Sequence, residues 1–124
     1  AGSNAKWKLI IGHHPLYSSG KRFGKTGEIR EVLEPIFERF QIDAYFAGHE
    51  HDMQHNRPDG KTVEHFVSGG GSEVRPVSQR SFTKFAASTG GFATVSIKDA
   101  LMMVQFIDHQ GKVIYRHDIK KGTN

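Results

Sequence analysis

Cysteine is absent from the 124 residues of this sequence, and so is any long apolar segment. Without cysteine the chain forms no disulfides and offers no thiolate ligands to a metal ion. No apolar run approaches the roughly 20 residues that a transmembrane helix requires, so we expect no membrane association. The first six residues also lack the charged-then-apolar pattern of a secretion signal. The length suits one small domain or a part of a larger one.

Charge is distributed unevenly along the chain, whose net charge is +4. Five basic residues and no acidic ones precede Glu28, whereas ten acidic and four basic residues lie between Glu28 and Glu73. A basic balance can indicate nucleic-acid binding, but these positive charges are dispersed and are not interleaved with aromatic residues. We therefore do not expect nucleic acid as the partner. The basic opening segment suits an anionic substrate equally well.

A strand, a helix and a second strand are predicted in the first half of the chain. Residues 7–11 and 42–47 are apolar runs typical of buried strands. Residues 28–41 predict an amphipathic helix with Thr26 as its N-cap and a kink at Pro35. Its apolar stripe comprises Ile29, Val32, Leu33, Ile36, Phe37 and Phe40. This order implies a right-handed parallel crossover, which places both strand ends at the edge where α/β folds bind ligands.

The second half predicts mainly β-structure. Arg57-Pro58-Asp59-Gly60 is a turn signal, and residues 62–67 predict a strand. Residues 72–91 are polar and irregular, which predicts a long surface loop. Three β-rich runs then predict an antiparallel meander: residues 92–98, 101–107 and 112–119. We expect an α/β chain that forms a single partial domain over residues 1–124.

Five of the eight histidines lie in two short segments that follow the predicted strands. The first segment is Gly12-His13-His14-Pro15, and the second is Gly48-His49-Glu50-His51 with His55 close behind. The parallel crossover brings these strand ends together, so imidazoles from both segments can converge. Neutral imidazole is a good ligand for zinc, iron and manganese. In an extended loop, residues at i and i+2 face the same side and can address neighbouring ions. We predict three metal ligands: His13, His49 and His51.

The other histidines have several interpretations. His14 can orient a ligand, contact a substrate or serve a structural role. We interpret His55 as structural or as lying outside the ligand shell. Three more lie in or near predicted strands without a partner motif, and we interpret them as ordinary sheet or surface residues: His65, His109 and His117.

The segment after the first histidine motif is basic. Residues 17–27 are rich in Gly, Ser and Lys, which predicts an exposed loop. Lys21, Arg22 and Lys25 in this loop can bind a substrate phosphate, although a solvated loop explains them equally well. Gly69-Gly70-Gly71 can likewise cradle an anion or form only a turn.

Three motifs resemble, in this order, the calcineurin-like metallophosphoesterase superfamily, and within it the tartrate-resistant and purple acid phosphatases. They are the apolar run ending in Gly12-His13-His14-Pro15, then Ala47-Gly48-His49-Glu50-His51, then Phe66-Val67-Ser68-Gly69-Gly70-Gly71. Gly90-Gly91-Phe92-Ala93 also fits. The resemblance covers essentially the whole chain. It implies a β-sandwich flanked by helices, of which this chain is the C-terminal half.

The resemblance also implies a function. His13 and His49 would bind one metal ion and His51 the other, with iron paired with zinc, iron or manganese. Such enzymes hydrolyse phosphate esters, because the two ions activate water and neutralise charge on the phosphoryl oxygens. His14 would be a catalytic or substrate contact, and Lys21 and Arg22 would bind substrate. A secreted or periplasmic location is implied as well.

Ligand motifs of the family's earlier half do not occur in the sequence. Asp-x-His or Asp-x-Gly, Gly-Asp and Gly-Asn-His are all missing. We therefore expect a catalytically incomplete fragment that holds one ion or none. Its partner would be the missing N-terminal half, or a second copy through exposed sheet edges. Two alternatives stay open: a non-catalytic module that binds one metal ion, and a basic domain that binds nucleic acid or acidic surfaces.

Overall fold

The computed structural model describes residues 3–122, and within them lie one helix and eight strands. In chain order the elements are β1 Leu9–Ile11, α1 Gly27–Arg39, β2 Ala44–Ala47, β3 Met53–Asn56, β4 Glu64–Ser68, β5 Thr83–Ala87, β6 Gly91–Lys98, β7 Leu101–Asp108 and β8 Val113–Lys120. The helix in this range lacks the length and apolar character needed to cross a membrane.

The strands form two sheets. The first has the order β1-β2-β4-β3-β5, with β1, β2 and β4 parallel and with β3 antiparallel to both of its neighbours. The second is the antiparallel meander β6-β7-β8. The parallel crossover through α1 and the C-terminal meander are therefore confirmed, and the architecture is mixed α/β.

Side chains of β2 alternate between two cores, as a strand buried on both faces requires. Tyr45 and Ala47 pack on the helical side, together with Phe37 of α1. Ala44 and Phe46 pack in the core between the two sheets. The buried residues of that inter-sheet core are Ala44, Met53, Phe66, Met102, Val104 and Phe106. Since β2 is held from both sides, the segment after it has a fixed starting point.

Two strands were not predicted from the sequence. All four residues of β3, Met-Gln-His-Asn, are buried, so its polar side chains give no alternating pattern. β5 lies inside the predicted loop 72–91 and includes two alanines, which favour strands only weakly. Tertiary pairing overrides local sequence preference in both strands.

Burial differs from the predictions in three places. Ile11, the last residue of the edge strand β1, is 83% exposed. On α1 only part of the apolar stripe is covered, and Val32 and Ile36 are exposed. The predicted exposed loop 17–27 begins with a buried segment, residues 17–19. Apolar surface is thus left open along β1 and α1.

The start of the helix also differs from the prediction. Thr26 occupies the N-cap position but makes no side-chain capping hydrogen bond. Its hydroxyl instead accepts a hydrogen bond from the Arg30 guanidinium at 3.0 Å. The helix continues through Pro35, which is exposed, so the carbonyl left without a donor can be hydrated.

His65 is a buried core residue, in contrast to the surface role left open by the sequence. It is 3% exposed, and its ring meets the Tyr17 ring edge-on at a centroid distance of 4.9 Å. Its Nδ1 atom is buried without a hydrogen-bond partner. Burial lowers the pKa of His65 to about 4. The imidazole is therefore neutral in the folded chain.

Replacing His65 with phenylalanine should make the free energy of unfolding depend less on pH. Below the usual imidazole pKa the unfolded chain takes up a proton that the folded chain does not, so stability falls toward pH 4. His65→Phe removes this term, and the stability lost between pH 7 and pH 5 should shrink by about 2 kcal/mol. Urea unfolding at both pH values measures the difference. The exposed turn variant His109→Phe should leave it unchanged; equal pH dependence in wild type and His65→Phe contradicts the assignment.

Candidate metal centre

The two histidine motifs leave neighbouring strands side by side. β1 and β2 pair in parallel, with Ile11 opposite Phe46. Backbone hydrogen bonds continue past the strand ends, from Gly12 N to Phe46 O at 2.9 Å and from Gly48 N to His13 O at 3.0 Å. This extension of the parallel pair brings the residues after both strands to one edge of the sheet.

Three imidazoles meet at this edge. The rings of His13, His14 and His49 have centroids 4.4–4.9 Å apart. Each ring offers a nitrogen, and these three atoms lie within 4.8 Å of one another. His49 Nδ1 and His13 Nε2 are 3.0 Å apart and share a hydrogen bond. A metal ion that replaced the shared proton would find donors already gathered around it.

The surroundings of His49 disfavour its charged form. Burial lowers the pKa of His49, and the neighbouring charges of His14, Arg22 and His13 lower it further. Neutral imidazole is the form that binds metals. His13 and His14 are exposed, so an ion can reach them from solvent. The three donors suit one borderline ion such as zinc.

Within residues 3–122, the group of three imidazoles formed by His13, His14 and His49 lacks a carboxylate ligand for a second metal ion. Glu50 and Asp52, one and three residues after His49, are both buried. The Ser18 hydroxyl and the Arg22 amide donate hydrogen bonds to Glu50 Oε2, at 2.5 and 2.9 Å. Glu50 thus anchors the loop from inside the fold.

His51 lies apart from the three rings. It lines the same cavity as His13 and His49, but its Nε2 is 3.2 Å from the Arg75 guanidinium. The expectation of an extended loop is wrong here, because His49 has φ of 65° and residues 49–52 form a bend. The group of three imidazoles includes His14, whereas His51 lines the adjoining cavity. The buried Nδ1 of His51 has no hydrogen-bond partner.

Gly12 permits a close approach behind the first motif. A Cβ atom there would lie 2.2 Å from the Tyr45 hydroxyl oxygen. That hydroxyl donates to the His14 carbonyl at 2.6 Å and fixes the backbone of the histidine. Gly48, before the second motif, has open space around it, so no such contact requires a glycine there.

Gly69 packs closely against the backbone of the second histidine motif. A Cβ atom there would lie 1.5 Å from the Glu50 carbonyl oxygen. The Gly69 amide donates to the Asp52 carbonyl at 2.9 Å. The Gln54 side chain donates to Asp52 Oδ1 at 2.7 Å, and burial raises the pKa of Asp52 to about 6. The glycine run therefore positions the histidine loop from inside the fold.

Cationic side chains flank the centre on two sides. Arg22 and Lys25 line a cavity of about 160 Å³ together with His14. Lys21 is exposed and is not among the residues that line this cavity. A second cavity of about 380 Å³ is lined by Arg75, parts of the glycine run and the histidines. Both cavities can admit an anion beside the imidazoles.

Arg75 was missed by sequence reasoning. It lies in the segment predicted as a surface loop, with no motif around it. Its amide donates to the His51 carbonyl at 2.8 Å, so the backbone as well as the side chain is tied to the centre. Only the folded path of the chain reveals this contact.

Comparisons with known proteins find similarity to phosphoesterases. The family model for calcineurin-like phosphoesterases matches residues 1–53. Purple acid phosphatase 4 of Arabidopsis thaliana is 33% identical over 96% of this chain and 36% of its own length. Human tartrate-resistant acid phosphatase type 5 is 28% identical over 94% of this chain and 38% of its own length. The chain thus spans about a third of the length of the curated relatives it matches.

Solved structures share the fold. The Plasmodium protein described as GAP50, the anchor in the inner membrane complex, superimposes with a TM-score of 0.87 at 25% identity. The match covers 97% of this chain and 38% of that protein. Purple acid phosphatase PPD1 from yellow lupin seeds superimposes with a TM-score of 0.78 at 17% identity, over 94% of this chain and 25% of its own. The chain is similar to the calcineurin-like phosphoesterases and, among them, to the purple and tartrate-resistant acid phosphatases.

Proposed function

We propose that this chain supplies the histidine-bearing part of a phosphoesterase that hydrolyses phosphate esters with two metal ions. The observation that carries the proposal is the convergence of His13, His14 and His49 at the carboxyl ends of two parallel strands. The similarity to purple acid phosphatases supports it. The proposed ions are iron paired with zinc, iron or manganese.

The proposal gives each nearby side chain a role. His13 and His49 hold one ion, and His51, whose Nδ1 is buried without a partner, contributes to the second. When bound, the ions activate water and neutralise charge on the phosphoryl group. Arg22 is placed to attract the phosphate beside His14, whereas Lys21, which is exposed, would only steer it from a distance.

The missing ligands would come from an N-terminal half of the same domain. The share of the relatives that the chain spans supports this, since about two thirds of each relative is unmatched. The edge strand β1, with Ile11 exposed, offers a surface on which further strands can pair. On α1, exposed Val32 and Ile36 offer further apolar surface. Self-association through these surfaces would compete with binding of the N-terminal half.

A secreted or periplasmic location is part of the same proposal, by family resemblance.

Joining the chain to its upstream coding sequence should generate phosphatase activity. The chain alone is expected to leave p-nitrophenyl phosphate intact, because the bridging carboxylate is missing. The extended protein, loaded with iron and zinc, should hydrolyse it, and His49→Ala should abolish that activity. His109→Ala is the matched control and should retain it. Turnover by the chain alone, or an open reading frame that begins at Ala1, contradicts the proposal.

A non-catalytic binding module is the second candidate function. The likeness to the Plasmodium anchor protein favours it, since that protein is described by its attachment role. In this case the extended protein would bind metal through the histidines but would hydrolyse no phosphate ester. Activity and metal content measured on one preparation therefore separate the two functions.

A further inference from the structure

A second histidine and carboxylate cluster lies at the other end of the first sheet. It consists of His55 on β3, Glu64 at the start of β4 and His117 on β8. Glu64 pairs in register with Ala44, the first residue of β2, whereas the motif with His49 follows the end of that strand. The cluster is therefore at the edge opposite to the first centre.

Both imidazoles lie within hydrogen-bonding distance of the Glu64 carboxylate. His55 Nε2 is 2.5 Å from Glu64 Oε2, and His117 Nε2 is 3.2 Å from Glu64 Oε1. The two imidazole rings have centroids 4.4 Å apart. One ligand atom from each residue lies within 4.8 Å of the other two. The two sheets contribute jointly, because His117 belongs to the meander and the other two residues do not.

Burial and hydrogen bonding fix the donors in place. His55 is 1% exposed, and its ring stacks on the Phe66 ring at 4.5 Å. Its Nδ1 atom is 2.7 Å from the Tyr115 hydroxyl. Metal-binding histidines are commonly oriented by an oxygen atom that hydrogen-bonds to one ring nitrogen, because the other nitrogen then faces the ion. In His55 the first nitrogen is Nδ1 and the second is Nε2. The His117 side chain is 28% exposed and gives a path to solvent.

The Glu64 carboxylate lies between the two imidazoles. Burial raises the pKa of Glu64, but hydrogen bonds from His117 and His55 outweigh this effect and lower the pKa to about 2. Burial lowers the pKa of His55, against the opposing effect of Glu64.

We propose that His55, Glu64 and His117 form a second metal site, for a divalent transition ion of the zinc class, which ties the two sheets together. Two imidazoles and one carboxylate make a three-ligand set that zinc accepts with water in the fourth position. The remaining positive group, Arg57, lies 3.5 Å from Glu64 Oε1 and is 42% exposed. It can swing into solvent when an ion takes its place. Without an ion, the same groups form a hydrogen-bonded network.

Zinc titration of two variants tests the site. In the His49→Ala variant the first centre is disabled, and one equivalent of zinc should still bind and raise the melting temperature. Adding His117→Ala should weaken this binding at least about 100-fold and remove the thermal shift. The exposed turn residue provides the control, since His49→Ala with His109→Ala should bind as before. His117 is partly exposed, so its replacement leaves the core intact.

A direct readout accompanies the titration. Imidazole nitrogen resonances of the His49→Ala variant should move on zinc addition at Nε2 of His55 and His117, and remain fixed for His109. Unchanged resonances at both rings under saturating zinc overturn the proposal. So does equal zinc affinity with and without His117→Ala. Either result means that the cluster is a hydrogen-bonded network only, and neither bears on the phosphoesterase function.

Discussion

Replacing His49 with alanine should weaken zinc binding at the first centre by at least about 100-fold, which corresponds to about 2.7 kcal/mol. His49 shares a hydrogen bond with His13, and its ring centroid lies 4.4 Å from that of His14, so it is the ring that joins the two motifs. Its loss leaves two imidazoles on one exposed segment, and two donors hold zinc poorly in water. Competition with a coloured chelator measures the affinity.

All proteins in this comparison carry the His117→Ala substitution, so that zinc binding is measured at the first centre alone. His109→Ala is the control, because that histidine lies exposed in the turn between β7 and β8. It should leave zinc affinity unchanged. Circular dichroism should show that all three proteins are folded. Retention of full affinity by the His49→Ala protein means that the three-ring cluster does not bind zinc.

Replacing Gly69 with alanine should destabilise the chain by about 3 kcal/mol, the upper range for forcing extra volume into a packed site. The added Cβ would lie 1.5 Å from the Glu50 carbonyl oxygen and 2.7 Å from its carbon. No side-chain rotation can relieve a clash between two backbones, so the loop that carries His49 must move. Zinc affinity should fall together with stability.

Gly71→Ala is the matched control in the same glycine run. A Cβ atom at Gly71 meets nothing within 4 Å, so the change in stability should stay within about 0.5 kcal/mol. Urea unfolding with zinc removed by a chelator compares the two variants. Equal stability of Gly69→Ala and Gly71→Ala contradicts the view that the glycine run supports the histidine loop.

The parallel crossover was predictable because its signals are local. Apolar residues at helical spacing lie between two apolar runs, and a right-handed crossover then places both strand ends at one edge. His13 and His49 could be placed together on that reasoning alone. β3 could not, since Gln54 and His55 are buried polar residues whose partners Ser19 and Tyr115 lie 35 and 60 residues away in sequence. β5 could not either, because its two alanines favour strands only weakly.

The conformation of the second histidine loop could not be predicted from the sequence. An extended loop would align His49 with His51, but His49 has a positive φ and residues 49–52 form a bend. Left-handed backbone is uncommon in residues other than glycine, so the sequence did not predict the positive φ of His49. The contact between Arg75 and His51 was not predicted either, because the two residues are 24 positions apart in the sequence.

His117 shows a further limit of local patterns. It has no partner motif in sequence, yet it faces Glu64, 53 residues away, across the gap between two sheets. Only the packing of the meander on the first sheet creates that pair. Contacts between sheets depend on how twisted strands are stacked, which alternation within a single strand does not encode.

Anomalous diffraction at the zinc edge, from crystals of the zinc-loaded wild-type chain, tests the central claim most directly. We predict a peak among the rings of His13, His14 and His49, separate from any peak near His117. Strong zinc density elsewhere, with none among those three rings, contradicts the assignment of this edge as a metal centre.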